Sequence, residues 1–413
     1  MSSTSDRAPV HDPIMTTYGP RRVTFVRGEG SFLWDDDGER YLDLLSGIAV
    51  TSLGHAHPEV AEAISEQAHR LLHVSNLFGS EHQAPVARAL DDLVRSEAPE
   101  VGPGQVFFCN SGAEANECAL KLARKWGGRG RHVVVSAFGS FHGRTLATLH
   151  ATGQPAKHEA FQPLPEGFRH VAWNDLADLE RSLDTQVAAV LLEPVQGEGG
   201  VDPATVEYFA GVRELCDERG VLMIVDEVQC GLGRTGRWFG FQHFGVLPDV
   251  VTVAKALGNG MPIGACWARS GVASTFEPGD HGTTFGGQPL AASAARRVLE
   301  IMVRDDVPAR ARRAGALLGE RLGALDEVIS VRGLGLLLAV ELDTSSLGRD
   351  AKAIAEELLD RGVVVNAVTP TALRLAPSLL LTDDEIDLAV DAIQATLTQQ
   401  APSLEGLSKK GMP

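Results

Sequence analysis

Cysteine is scarce in this 413-residue chain, basic charge is in deficit, and long apolar runs are missing; each shortage excludes something. The five cysteines, Cys109, Cys118, Cys216, Cys230 and Cys266, are scattered with no Cys-x-x-Cys spacing. Neither a zinc site nor a disulfide framework is therefore expected, and no metal is; buried free thiols are the simpler reading. Lys and Arg number 37 against 54 Asp and Glu, a formal charge of −17, which leaves no basic face for phosphate backbones or an anionic bilayer. Nucleic acid and membrane are not expected partners, and small metabolites remain open. No eighteen consecutive residues are apolar, and the opening MSSTSDRAPVHDP has no apolar core. Neither a membrane span nor an export signal is expected, so the expected location is the cytoplasm. Residues 1–15 and 401–413 are polar and aperiodic, the composition of disordered ends.

Between those ends the composition is that of an ordinary soluble protein, 44% hydrophobic and 22% charged, and long enough for two unequal domains. Strand-like apolar runs at Gln105–Cys109, Arg131–Val135, Val187–Leu192, Val221–Val225 and Asp249–Val253 alternate with helical stretches. That is the βα rhythm of an α/β domain, a mainly parallel sheet with helices on both faces, expected over residues 60–305. From about residue 305 the rhythm changes: Ile329–Arg332, Leu334–Val340, Val363–Val365 and Leu373–Leu375 alternate with amphipathic helices, as in a smaller α+β domain. Residues 306–400 are expected to form it together with 16–59, whose strand-turn pattern Phe32–Tyr41 is of the same kind. Within that pattern Asp35-Asp-Asp-Gly38 reads as a turn carrying solvated charge.

The stretch TVAKALGNGMPIGA, residues 252–265, sets Lys255 just past a β-branched apolar run and before three glycines. A hydrated surface lysine needs no such neighbours. In an open parallel sheet, ligands bind outside the carboxyl ends of the strands, and Lys255 falls at such an end. Asp226 closes another apolar strand, Val221–Val225, and is followed by Glu227, Val228 and Gln229. Taken alone it is as readily a helix cap or a turn residue. In Cys109-Asn-Ser-Gly-Ala-Glu-Ala-Asn116 a strand runs directly into a helix, where Ser111, a glycine and free backbone N–H groups suit an anion, although a plain Ser cap would look the same. An amine, a strand-end acid and a phosphate nest together are what pyridoxal phosphate requires. No local structural role accounts for all three.

At these residues the sequence resembles the class III aminotransferases, fold type I pyridoxal-phosphate enzymes. The matching text is GIAVTSLGHAHPEV, SNLF, FFCNSGAEANE, FHGRT, GQP, LLEPVQGEGGV, DEVQCGLGRTG, AKALGNGMPIGA, HGTTFGGQPLA and LRLAPSL, in the family's order from about Tyr18 to Gln394. The resemblance implies a large domain with a mainly parallel seven-stranded sheet, a smaller α+β domain and a homodimer. It implies that Lys255 carries the cofactor through an imine and that Asp226 keeps the pyridine nitrogen protonated. Val228 and Phe141 would flank the ring, Gln229 would reach its hydroxyl, and Ser111, Gly112 and Ala113 would hold the phosphate with Thr284 of the second subunit. Arg144 resembles the residue that binds the substrate's distal carboxylate, and Arg374 the one that binds the carboxylate beside the reacting carbon. Glu198 would pair with Arg374 when the substrate has no carboxylate there. The strongest likeness is to the branch that moves the δ-amine of N2-acetylornithine to 2-oxoglutarate in arginine biosynthesis, giving N-acetylglutamate 5-semialdehyde and glutamate. Ornithine, succinylornithine, succinyldiaminopimelate and 4-aminobutyrate are the alternative donors; an aminomutase and a non-catalytic cofactor-binding protein are the alternative classes.

Two departures stand out: GQPLA replaces the family's usual GNPLA, and TTF its STF or STY, so Gln288 and Thr283 are expected to adjust the subunit contact or the substrate edge. Three further motifs are expected to be structural. Gly231-Leu-Gly-Arg-Thr-Gly236 spells the dinucleotide pattern but leads into Arg237-Trp-Phe-Gly-Phe241 rather than a helix. His55-Ala-His57 has no Cys or acidic cluster to complete a metal site, and His142 is read as a support rather than a base.

Overall fold

The computed structural model describes residues 13–399; the disordered ends expected from the sequence fall outside these residues, except for 13–15, which are exposed and irregular. The large sheet has seven strands: β1 (Gly104–Cys109), β2 (Val133–Ala137), β3 (Phe168–Val171), β4 (Val187–Leu192), β5 (Leu222–Asp226), β6 (Val250–Val253) and β7 (Gly264–Arg269). Their spatial order is β1-β7-β6-β5-β4-β2-β3. β6, β5, β4, β2 and β3 pair in parallel, and β7 runs antiparallel to both of its neighbours, so β1 points the same way as the parallel set. β2, β4, β5 and β6 are buried along their whole length, which is why they read as unbroken apolar runs.

Two strands were not legible. β7, GACWAR, opens on the glycine that closes the AKALGNGMPIG stretch and carries no alternation, and β3, FRHV, is a short edge strand with two polar residues. A third reading needs correction. The run Leu334–Val340 is a hairpin, not one strand: Val328–Leu334 turns back through Gly335 into Leu337–Leu342. Gly335 has φ +56°, and a Cβ there would lie 2.4 Å from the carbonyl carbon of Thr235, so only glycine lets the turn seat against the 231–236 loop.

The hairpin continues into a four-stranded antiparallel sheet with Ala372–Leu375 and Asn366–Ala367, which sets Arg374 between Ala339 and Asn366. A second small sheet pairs Arg40–Asp43 in parallel with Val363–Val364, joining the two ends of the described chain. On that pairing we propose the division into a 60–305 unit and a unit made of 16–59 and 306–400.

Three motifs take structural places. The 231–236 loop leads to a 3-10 turn, Gly240–Phe244, and its buried Arg234 donates to Leu336 O at 3.0 Å, Pro377 O at 2.6 Å and Ser52 Oγ at 3.2 Å, tying the loop to the hairpin. His55 pairs with Asp43 at 2.7 Å, and among the described residues no three His, Cys, Asp or Glu side chains gather to hold a metal. In the Asp35–Gly38 turn only Asp36 and Asp37 are solvated. Asp35 is buried and accepts from Asp37 N, Glu39 N and Tyr41 Oη, because it closes the turn on itself; burial and that bond push the Tyr41 hydroxyl up to about 12.

Candidate active site

The carboxyl ends of β1, β5 and β6 and the start of β7 share one edge of the sheet, and a cavity of about 450 Å³ opens there. Ser111, Gly112, Ala113, Phe141, Arg144, Asp226, Val228, Gln229 and Lys255 all line it.

Lys255 begins a short 3-10 turn directly after β6, with φ +41°, a left-handed conformation unusual for a residue with a side chain. Its ammonium makes no hydrogen bond or ion pair among the described residues. Burial first, and then the charge of Arg374, lower its pKa against the opposing pull of Glu198, Asp226 and Glu193. An amine that gives up its proton more readily than an ordinary lysine, aimed into a cavity, can act as a nucleophile and as a base.

Asp226 is held on all sides. Its Oδ2 accepts from Asn116 Nδ2 at 2.7 Å and faces His142 Nδ1 at 2.9 Å, and its Oδ1 accepts from Val228 N at 3.0 Å. Asn116 is itself fixed by donating to His142 O and accepting from Thr252 Oγ1, both bonds under 3 Å. The carboxylate is only 4% exposed, so it cannot swing to a new partner. His142 thus braces Asp226, in keeping with its reading as a support rather than a base. Asn116 went unnoticed because its partner lies 110 residues away; its only sequence signal is its place one turn into the helix that Ser111 opens.

That helix, Gly112–Gly127, starts at the end of β1. Ser111 caps it, accepting from Glu114 N at 3.2 Å, and the backbone N–H groups of Gly112 and Ala113 have no acceptor among the described residues. Gly112 also permits a close approach, since a Cβ there would meet Val228 at 2.8 Å. Two free N–H groups at the N-terminus of a 16-residue helix can hold a phosphate dianion. The phosphate cradle, the fixed acid and the unpaired amine around one cavity fit pyridoxal phosphate.

Glu193, for which the sequence offers no site signal, also lines the cavity. It accepts from Phe141 N at 3.0 Å and Gly197 N at 3.3 Å, bracing the residues that carry the Phe141 ring and Glu198. Burial, then the nearby Asp226, push its carboxyl well above the ordinary range.

Arg374 is 1% exposed and lies beside the cavity rather than on its lining. Its Nη1 donates to Glu198 Oε1 at 2.5 Å, Gly197 O at 3.1 Å and Gln229 Oε1 at 3.4 Å, and its Nε to Asn366 Oδ1 at 3.2 Å. Burial pushes the Glu198 carboxyl up, but the charge and hydrogen bond of Arg374, with Lys255 beyond, outweigh it and leave Glu198 below the usual carboxylate range. Arg144, by contrast, is exposed and sits 5.4 Å from the centroid of the Phe141 ring.

Thr283 and Thr284 are not brought to the cavity. They line a separate hollow of about 590 Å³ with Asn76 and His281, and Thr284 is exposed. Thr283 accepts from Gly286 N at 3.1 Å and weakly from Asn110, which does reach the cavity. Gln288 precedes the helix Pro289–Arg304 and makes no cap bond to it.

The class-III aminotransferase family matches residues 15–397. Acetylornithine aminotransferase of Corynebacterium efficiens is 48% identical over 393 residues, covering 94% of this chain and 95% of that one. Succinylornithine transaminase of Salmonella paratyphi A is 45% identical over 399 residues, covering 95% and 96%. Among solved structures, an ornithine aminotransferase from Toxoplasma gondii with partial occupancy of PLP at its active site superposes with a TM-score of 0.86 at 34% identity, covering 94% of this chain and 92% of that one.

Proposed function

The chain belongs to the class III aminotransferases, enzymes that work with pyridoxal phosphate, and from that premise we propose that it transfers the δ-amine of N2-acetylornithine to 2-oxoglutarate. The products are N-acetylglutamate 5-semialdehyde and glutamate.

The observation that carries this reading is the Glu198–Arg374 pair. A donor that reacts at a terminal amine has only hydrogen on its reacting carbon where glutamate has a carboxylate, so one site must accept both. An arginine 1% exposed and left without a counter-charge would be strongly destabilising. Glu198, 2.5 Å from Nη1, supplies that charge when the substrate does not. Among the described residues no hydrogen bond falls on Nη2, so a substrate carboxylate could engage that edge and displace Glu198 from the other. Glu198 is partly exposed, with 28% of its side chain accessible, and so has room to leave.

Pyridoxal phosphate, when bound, supplies the aldehyde that takes up the amine and the electron sink for the C–H bond that breaks. In this reading Ser111 and the N–H groups of Gly112 and Ala113 hold its phosphate, Phe141 and Val228 flank its ring, and Gln229 reaches its hydroxyl. Asp226, fixed by three donors, presents a standing negative charge to the ring nitrogen, which favours charge development there before any reorganisation. Lys255 would hold the cofactor through its amine, and that amine, when free, would be the group placed to move a proton from the substrate carbon. Arg144 takes the distal carboxylate of either substrate through its forked N–H groups.

Thr284 lies outside the cavity of its own chain, and in this reading it would serve the phosphate of a second copy, so we read the protein as a homodimer. Supporting this, Leu77, Phe78 and Phe285 are 86%, 66% and 57% exposed around the hollow that Thr284 lines, an apolar patch of the kind a second copy would cover.

The test is to incubate the cofactor-loaded protein with a panel of amine donors at equal concentration. Glutamate should form from 2-oxoglutarate, fastest with acetylornithine. Product without an oxo acid would indicate a mutase, and no turnover a binding protein.

A further inference from the structure

Beyond the residues assigned so far, a second cation approaches the Phe141 ring that lines the cavity, although it is not itself on the lining. Lys157 Nζ lies 5.4 Å from the centroid of the Phe141 ring, the same distance as the Arg144 guanidinium. Neither side chain has an ion pair or hydrogen bond among the described residues. The opposing charge that acts on Lys157 is Glu198, and Glu198 is already engaged by Arg374. Burial, then the charge of Arg144, lower the Lys157 pKa, as expected of two cations sharing a partly desolvated space.

The loop holds Lys157 there by contacts that do not involve its own side chain. Gly153 N donates to Ser140 Oγ and Gln154 Nε2 to Ser140 O, each at 3.0 Å. On the other side His158, buried, bonds Thr152 O through Nε2 at 2.7 Å and packs its ring against His150 and His170 at 5.5 and 5.8 Å. Two cations around one aromatic ring, neither with an ion pair among the described residues and one of them on a pinned loop, make a place that an anion would relieve.

We propose that Lys157 is a specificity-determining residue: with Arg144 it makes the distal end of the site doubly cationic, so N-acylated ornithine is accepted and free ornithine is disfavoured. The proposal rests on the donor reading above. Both donors carry the same distal carboxylate, which both cations attract. They differ in the neighbouring group, a neutral amide in acetylornithine and an ammonium in ornithine. Only the ammonium is repelled, and repulsion built into a site discriminates as effectively as attraction.

The test compares kcat/KM for acetylornithine and ornithine at one pH in the cofactor-loaded wild type, Lys157→Met and Lys157→Arg. Removing one like charge at this partly screened range should lower the acetylornithine-to-ornithine ratio about tenfold in Lys157→Met, mainly through a higher KM for acetylornithine, since for ornithine the lost attraction to its carboxylate and the lost repulsion of its ammonium offset each other, with little change in kcat. Lys157→Arg should restore the ratio. An unchanged ratio in Lys157→Met, from a wild type that does prefer acetylornithine, overturns the role of Lys157 and leaves the donor reading intact. Loss of the ratio in Lys157→Arg as complete as in Lys157→Met would make the lysine a structural support and overturns the proposal equally. A wild type that prefers ornithine overturns the donor reading and the proposal with it.

Discussion

Arg374 and Arg144 carry the same guanidinium and are treated in opposite ways. Arg374 is 1% exposed, sits in the middle of an antiparallel sheet and has four acceptors, one of them a carboxylate. Arg144 is exposed and touches the face of Phe141. Solvent stabilises the second between turnovers, so it needs no counter-charge. The first has no solvent around it, and the protein supplies Glu198 as its counter-charge. The same contrast divides the whole site: the end around Asp226 is buried and fixed by hydrogen bonds, and the mouth around Arg144 and Lys157 is open and unpaired. Chemistry is expected to depend on the first end and selectivity on the second.

The largest effect should come from the fixed end. Asp226→Asn keeps a group able to hydrogen-bond but removes the charge, so cofactor should remain bound while the chemical step slows by about 10²–10³-fold, the range found when one electrostatic contact to a reacting centre is lost. Single-turnover absorbance checks it; an unchanged rate would mean the buried charge does not act on the reaction.

Glu198→Ala breaks the contrast between the two arginines by leaving Arg374 unmasked. Removing one member of a buried hydrogen-bonded pair typically costs about 2–5 kcal/mol, and here the loss should fall on the acetylornithine half-reaction while glutamate keeps its partner. The two half-reactions, measured separately, should move apart. Equal losses in both would make Glu198 a general support.

A smaller effect concerns Lys255. Its pKa in the fold is lowered from 10.5, chiefly by burial. Between that lowered value and 10.5 the unfolded chain holds a proton that the folded chain has released, so stability rises with pH across the window and the penalty is complete below it. Cofactor-free Lys255→Met should therefore melt above cofactor-free wild type at neutral pH, and the gap should close as pH approaches the unperturbed value. A gap that widened with pH would reverse the sign assigned to the lysine.

What could be read in advance follows the same division. β4, β5 and β6 announced themselves because strands buried on both faces must be apolar throughout. β3 lies at the sheet edge and β7 interrupts the parallel order, so neither had to follow that pattern. Lys255 and Asp226 were legible because each ends such a strand. Asn116, Glu193 and Lys157 were not: Asn116 acts through a partner 110 residues away, Glu193 through two backbone N–H groups, and Lys157 through a loop whose position depends on Ser140, Thr152 and the His150–His170 stack. Asp35 misled for a local reason, since a turn can bury the first of three acidic residues by bonding it to its own backbone.

The most direct test of the whole assignment is borohydride reduction of the cofactor-loaded wild type, followed by mass spectrometry of its peptides. The expected result is a single cofactor adduct on Lys255, absent from Lys255→Ala treated in the same way. An adduct on another lysine of the wild type, or an undiminished adduct in Lys255→Ala, would contradict it.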